Sequence, residues 1–315
     1  MNSQRESGHR PVLAAEVIEL LRIREDGTYL DGTAGSGGHA ALILERLGPA
    51  GRLVGIDRDN EALDRCRQRF AGLTQKWTMV HGNFSDMEEI AAGQGIVALD
   101  GIVLDLGVSS EQLGTPRRGF SFMEDGPLDM RMDPEGGTTA ADIVNGLSES
   151  ELERILRLYG EEPAARRVVR ALVMERQRER IGSTLKLADA VSAATGGRRG
   201  KIHPATRTFQ ALRIAVNGEL EALESGLEAG LRLLKPGGRM AVISFHSLED
   251  RLVKNCFREH AGRYESLQGG GSLRHVAEPE VTVVTRKPVT ALQEETAVNP
   301  RARSAKLRVA ERKAA

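Results

Sequence analysis

Residues 29–39 read Tyr-Leu-Asp-Gly-Thr-Ala-Gly-Ser-Gly-Gly-His, and Asp57 closes the later apolar run Leu53-Val54-Gly55-Ile56. That carboxylate stands twenty residues past Gly37. Glycines let the main chain turn tightly and let a ligand approach it closely. A carboxylate at the tip of the following strand can accept both hydroxyls of a ribose. The pattern points to a nucleoside held by the first half of the chain.

The glycine turn leaves the nucleoside open. Gly35-Ser36-Gly37-Gly38-His39-Ala40 fits the dinucleotide pattern G-x-G-x-x-[G/A]. It also fits the loop of S-adenosylmethionine (SAM) enzymes, in which an acid ends the first strand ahead of spaced glycines. Asp31 fills that acidic position, and Thr33 stands where the first glycine is usual. A strand–helix turn without a ligand is the plainer alternative. Asp31 would repel a pyrophosphate, which favours a bare helix N-terminus, but it suits the cationic amine of a methionine moiety. Strand three ends in Gly82-Asn83-Phe84-Ser85, which places Phe84 where an adenine would lie or in the core. Strand four ends in Asp105-Leu106-Gly107-Val108-Ser109-Ser110. In a doubly wound sheet the carboxyl ends of the strands form the ligand crevice. Asp31, Asp57, Phe84 and Asp105 are therefore expected to face one cleft.

The elements that must position these residues follow from the periodicity. A helix is expected over 11–22. Strands are expected at 28–30, 52–56, 77–81 and 101–106, with helices at 38–47, 59–71 and 85–92 between them. This alternation predicts an α/β, doubly wound parallel sheet. Residues 113–137, rich in Gly, Pro, Arg and Asp, read as a long ordered loop. Residues 148–195 are helical and charged. A helix over 206–234 stops at Lys235-Pro236-Gly237-Gly238, a strand follows at 239–245, and 305–309 is a last strand or a flexible arm. Two domains are expected: 1–112 with 206–315, and an inserted, mostly helical 113–205 that recognises substrate.

Composition narrows the partners. The 315 residues balance 44 Lys/Arg against 44 Asp/Glu. The charge is unevenly placed: residues 160–210 carry 11 basic and 5 acidic residues, and 286–315 carry 8 and 3. Two basic segments on an otherwise acidic chain suggest a polyanion partner, with solvated helix faces as the alternative. Cys66 and Cys256 form no CxxC, so neither a disulfide framework nor a zinc site is expected, and a cytoplasmic location fits. No apolar run reaches the ~20 residues of a membrane helix, and no metal is expected.

Nearly the whole chain resembles the RsmH (MraW) family of bacterial 16S rRNA (cytosine-N4)-methyltransferases. The likeness rests on His9–Leu13, Asp31–His39, Leu104–Ser110, Arg118–Phe122, Asp125–Asp133, Ala141–Asn145, Lys201–Arg213, Ile243–Arg251 and Asn299–Lys306. It implies a class I SAM-dependent methyltransferase domain with an inserted helical domain. It also implies SAM contacts at Gly37, Gly38, His39, Asp57, Phe84, Asp105 and Gln112, to which the glycine turn adds Asp31 and Gly35. The partner implied is 16S ribosomal RNA within the small ribosomal subunit. One departure is Pro163 after Gly160-Glu161-Glu162, a residue that suits a helix start.

The cytosine N4 lone pair is delocalised into the ring, so the amine needs acceptors for its N–H groups. Asp105, Ser109 and Ser110 are expected to supply them; the Asp/Asn-Pro-Pro-aromatic form of that motif is absent. The base must also leave its stack. Phe120 and Phe122, beside Arg118 and Arg131, are candidates for stacking and phosphate contact. Arg166, Arg167, Arg170, Lys201 and Arg207 are candidates for following the RNA backbone. Asn145, His203 and His246 are expected to be structural. A nicotinamide-dependent dehydrogenase and a non-catalytic RNA-binding assembly factor are the competing readings. The sequence is silent on whether the chain forms a homodimer. If Asp57 holds the ribose, Asp57→Ala should weaken SAM binding by roughly 1.5–3 kcal/mol in calorimetry.

Overall fold

The apolar runs that end in acids become the central strands of a computed structural model describing residues 11–197, 203–262, 264–266, 273–275 and 278–314. β1 (Thr28–Asp31), β2 (Arg52–Asp57), β3 (Lys76–His81), β4 (Leu99–Asp105) and β5 (Leu234–Ser244) pair in parallel. β6 (Val281–Val283) and β7 (Lys306–Arg312) complete a seven-stranded sheet of order β3-β2-β1-β4-β5-β7-β6. β7 is antiparallel to both β5 and β6, so the basic tail is a strand rather than an arm. Tyr264–Ser266 and Leu273–His275 form a separate antiparallel pair.

The central strands are apolar on both faces because helices cover both. Tyr29, Leu53, Val103, Ala241 and Ile243 join one core, which also contains residues of α1 (Ala14–Leu21), α2 (Gly38–Leu44) and α3 (Asn60–Phe70). Their neighbours Leu30, Val54, Ile102, Leu104 and Val242 join the other, with residues of α4 (Met87–Gly93), α11 (Glu219–Leu233) and α12 (Ser247–His260). This alternation is the period of two of a strand. Each buried Leu or Val contributes about 1.5–3 kcal/mol.

The chain divides into two units, 1–107 with 220–315, and 108–219. The junctions thus stand at 107/108 and 219/220, not at 112/113 and 205/206. The second unit holds α5 (Ser110–Leu113), α6 (Ala140–Gly146), α7 (Glu149–Leu158), α8 (Ala165–Arg178), α9 (Thr184–Thr195) and α10 (Thr206–Asn217). α10 belongs there because Phe209 and Leu212 are buried with Val144, Leu156, Val168 and Leu187. Pro163 stands just before α8, where the Glu162 carboxylate accepts the Ala164 N–H at 2.8 Å.

The loop 113–137 is ordered by polar ties. Asn217 donates to the carbonyls of Met130 (2.8 Å) and Arg213 (2.9 Å) and accepts the Met132 N–H at 2.8 Å. Arg118 donates to the carbonyls of Arg131 (3.1 Å) and Met132 (2.8 Å). Gly119 has φ 72°, and a Cβ there would lie 2.3 Å from the Pro127 carbonyl oxygen. Asn145 ties α6 to Ile181, donating to its carbonyl at 2.9 Å and accepting its N–H at 3.0 Å. Asn217→Ala strands buried backbone groups of the loop. It should destabilise the protein by roughly 2–4 kcal/mol in urea unfolding.

Candidate active site

β1 and β4 deliver Asp31 and Asp105 to the carboxyl end of adjacent strands, and Thr33 joins them. The Thr33 N–H and hydroxyl both donate to Asp31 Oδ1, at 3.1 and 3.5 Å. The Thr33 oxygen accepts the Asp105 N–H at 2.6 Å. The residue that departs from the usual glycine therefore links the two acid-bearing strand ends. Nothing in the spacing of the sequence signals this contact.

The turn after Thr33 wraps around Asp57. Gly35, at φ 51°, donates its N–H to Asp57 Oδ2 at 2.7 Å, and Asp59 N–H donates to Oδ1 at 2.9 Å. The Arg58 N–H also bonds this carboxylate. A carboxylate has about four acceptor sites, so Asp57 retains room for a further donor. Gly37, at φ 78°, has no space for a Cβ, which would meet the Phe70 ring at 2.6 Å. Gly38 opens α2, and His39 follows in its first turn, buried, with neither ring nitrogen hydrogen-bonded. His39 Nε2 lies 3.9 Å from Asp105 Oδ2, too far for a hydrogen bond. Phe84 is half-buried against α11: a Cβ on Gly226 would lie 2.5 Å from its ring. Its ring is thus partly core. Cys66 donates to the Gly35 carbonyl at 3.1 Å, and burial pushes its thiol up to about 12, so it is no nucleophile.

The electrostatics of this end of the sheet are unusual. Asp31 is 1% exposed, and its Oδ2 has no partner; Asp105 Oδ1 is likewise buried without one. Burial first, and then the charges of Asp105 and Asp57, push the Asp31 carboxyl up to about 7. Burial also raises Asp57 and lowers His39, which keeps the imidazole neutral. Among the described residues no Lys or Arg side chain hydrogen-bonds or ion-pairs with Asp31, Asp57 or Asp105. A nucleoside carrying a cationic amine answers these orphaned acceptors, so the residues fit SAM.

The second unit treats its expected site residues differently. Ser109 and Gln112 form the capping box of α5: the Gln112 N–H donates to Ser109 Oγ at 3.1 Å, and the Ser109 N–H to Gln112 Oε1 at 3.0 Å. Gln112 is buried in its own helix turn, a role different from the expected cofactor contact. Ser110 is half-buried at the first position of α5. Phe120 is buried in the core, and Arg118 and Arg131 serve the loop, Arg131 through a bidentate pair with Asp129 at 2.9 and 2.7 Å. These three hold the loop instead of presenting free rings or charges to a substrate. Phe122 is half-buried and packs on His203 and Phe209, with ring centroids 4.6 and 4.8 Å apart. Arg166, Arg167 and Arg170 are exposed on α8 with no side-chain partner among the described residues. Arg207 donates to the Glu161 carbonyl at 3.3 Å, and Lys201 lies outside the described residues. His246 caps α12, where its Nδ1 accepts the Glu249 N–H at 3.4 Å. Glu228, Cys256 and His260 do gather their donor atoms within 4.8 Å, through the packing of α11 on α12. The His260–Glu228 hydrogen bond at 3.1 Å accounts for that gathering.

A carboxyl that titrates higher in the folded chain stabilises fully below its unfolded value, and that contribution is lost as pH rises through the folded one. For Asp31 the window runs from about 3.8 to about 7. In that window the ligand-free protein should lose roughly 1.4 kcal/mol of stability per pH unit from this group. Asp31→Asn should flatten the slope in a series of melting curves; an unchanged slope would place the effect elsewhere.

The chain can now be set beside known proteins. A family model described as the MraW methylase family matches residues 6–313. A Pelobacter propionicus protein named ribosomal RNA small subunit methyltransferase H is 52% identical over 307 residues, covering 96% of this chain and 98% of its own. A Geobacter sulfurreducens protein of the same name is 51% identical over 312 residues, with the same coverage. These relationships displace the nicotinamide-dependent alternative for the glycine turn. With its sheet order, glycine turn and acidic strand ends, the chain belongs to the MraW methylase family, as a SAM-dependent methyltransferase of class I fold.

Proposed function

We propose that the protein transfers the methyl group of SAM to the exocyclic N4 amine of a cytidine in the decoding region of 16S ribosomal RNA. It would act in the cytoplasm and within the small ribosomal subunit. The names of its relatives support the RNA class, and the sequence motifs support the base. The observation that carries the cofactor half of the reading is the pair of buried, unpartnered oxygens Asp31 Oδ2 and Asp105 Oδ1.

When bound, SAM supplies an electrophilic methyl group on a sulfonium sulfur. The residues of the first unit bind and orient it. The turn at Gly35, Gly37 and Gly38 admits close approach of the main chain, and Asp57 takes a ribose hydroxyl. Phe84 flanks the adenine with the free part of its ring. Asp31 and Asp105 take the cationic amine, beside the neutral His39. Such positioning lowers a barrier by up to about 7–11 kcal/mol when the reacting atoms are held in line.

The target amine needs acceptors for its N–H groups. Ser109 and Ser110 follow four and five residues after Asp105, and their hydroxyls are assigned to that role. Gln112 is a positioning residue, since its N–H orients the Ser109 oxygen. A methylated amine would carry a surplus proton, which would pass to a Ser109 or Ser110 hydroxyl, a backbone carbonyl or water. Phe122 is assigned to the flipped base or its neighbours, and Arg166, Arg167 and Arg170 to backbone phosphates.

Mass spectrometry of nucleosides from 16S RNA incubated with protein and SAM should show N4-methylcytidine. No transfer would mean a non-catalytic assembly factor, and a methyl group on another base would overturn the N4 assignment. Replacing Arg166, Arg167 and Arg170 together with Gln should raise KM for RNA and reduce the salt slope of binding by about two units. SAM affinity should not change. An unaltered slope would make this face of α8 merely solvated.

A further inference from the structure

The first unit holds a second cluster of positive charge that the cofactor site does not use. Lys254, Phe257 and Arg258 of α12 line a cleft of about 160 Å³ together with Thr285, Arg286 and Arg308. Lys254 and Arg258 stand four residues apart and so share one face of the helix. Arg308 is 7% exposed and donates its Nε–H to Asp250 at 2.6 Å. Thr285 is also buried; its oxygen accepts the Val309 N–H at 2.8 Å, which leaves its own O–H as a donor.

The basic residues of the neighbouring strands β5 and β7 are neutralised. Lys306 and Arg308 share Asp250, Arg312 pairs with Glu280, and Arg239 pairs with Glu311. Lys254, Arg258 and Arg286 have no carboxylate or hydrogen-bond partner among the described residues. Like charges gathered around one concavity repel one another, and an anion relieves that cost. The cleft is smaller than the ~300 Å³ of pockets that enclose a small molecule. It has room for one anionic group and its waters rather than for a whole nucleotide.

Strand directions place the cleft. β6 runs parallel to β1–β5, and Thr285 and Arg286 follow its last residue, Val283. β7 runs the other way, so Arg308, near its start, lies toward the same end. Thr285, Arg286 and Arg308 therefore lie toward the carboxyl end of the sheet, the end that carries Asp31, Asp57 and Asp105, while Lys254 and Arg258 stand in the later half of α12. From β4 to β6 is three strand steps, about 14 Å at the usual inter-strand spacing. One nucleic-acid strand can reach both places.

We infer that this cleft is a docking site for backbone phosphates of the RNA strand flanking the methylated nucleotide. The inference rests on the RNA substrate proposed above and adds a contact surface on the methyltransferase unit itself.

The test compares wild type with the triple variant Lys254→Ala, Arg258→Ala, Arg286→Ala, both saturated with SAM. Arg308 is kept because its loss would leave Asp250 buried and unpaired. Binding of a 16S RNA fragment is followed by fluorescence anisotropy across about 50–300 mM NaCl. The variant should lose about two units of the slope of log affinity against log salt, and at least about tenfold in affinity at the low-salt end. SAM affinity and melting temperature should match wild type. An unchanged slope and affinity would overturn the docking site. Normal binding to naked RNA with weakened binding to the assembled small subunit would also overturn it, in favour of an acidic protein surface. If the triple variant melts early, Arg286→Glu alone, at an exposed position, gives the same reading. Methyl transfer by the wild type is scored separately. Its absence would count against the proposed reaction, while the salt slope still decides the cleft.

Discussion

Buried negative charge at the end of the parallel sheet is the constraint around which the rest of the first unit is arranged. Asp31 and Asp105 finish adjacent strands, and Thr33 stitches them together through its N–H and hydroxyl. Two of their oxygens have no partner. Such a site costs folding free energy unless a proton or a cation relieves it. The fold meets that cost with two apolar cores, one on each face of the sheet. A methyl donor that carries positive charge is the ligand this arrangement favours.

The glycine turn shows how one short segment answers several demands. Gly35 must present its N–H to Asp57, and it does so at a positive φ. Gly37 must let Phe70 approach, and any side chain there would collide with the ring. The same geometry draws Asp57 toward its own backbone. Its carboxylate is oriented by three N–H groups before a ligand arrives. Preorganisation of that kind reduces the entropy lost on binding.

The second unit spends its polar residues on order rather than display. Arg118, Arg131, Asn145 and Asn217 are committed to loops and helix ends. Among the described residues, that leaves Arg166, Arg167 and Arg170 of α8 exposed without a side-chain partner. A long loop needs such internal ties because its backbone groups have no sheet or helix partner. Residue type alone does not separate an arginine that holds a loop from one that meets a phosphate; only its neighbours do.

Much was legible in the sequence. Apolar runs closed by acids located β1, β2 and β4, and the strand–helix alternation predicted the doubly wound sheet. Local patterns carry this information because strand and helix periods are written in consecutive residues. The tertiary structure decided what depends on residues far apart. It made Thr33 a bridge to Asp105, 72 positions away. It placed α10 with the inserted helices, because the burial of Phe209 and Leu212 outweighs their position in the chain. It turned Arg118, Phe120 and Arg131 inward and left Arg166, Arg167 and Arg170 exposed. Burial and pairing are properties of the packed chain, so no spacing rule could have sorted these residues beforehand.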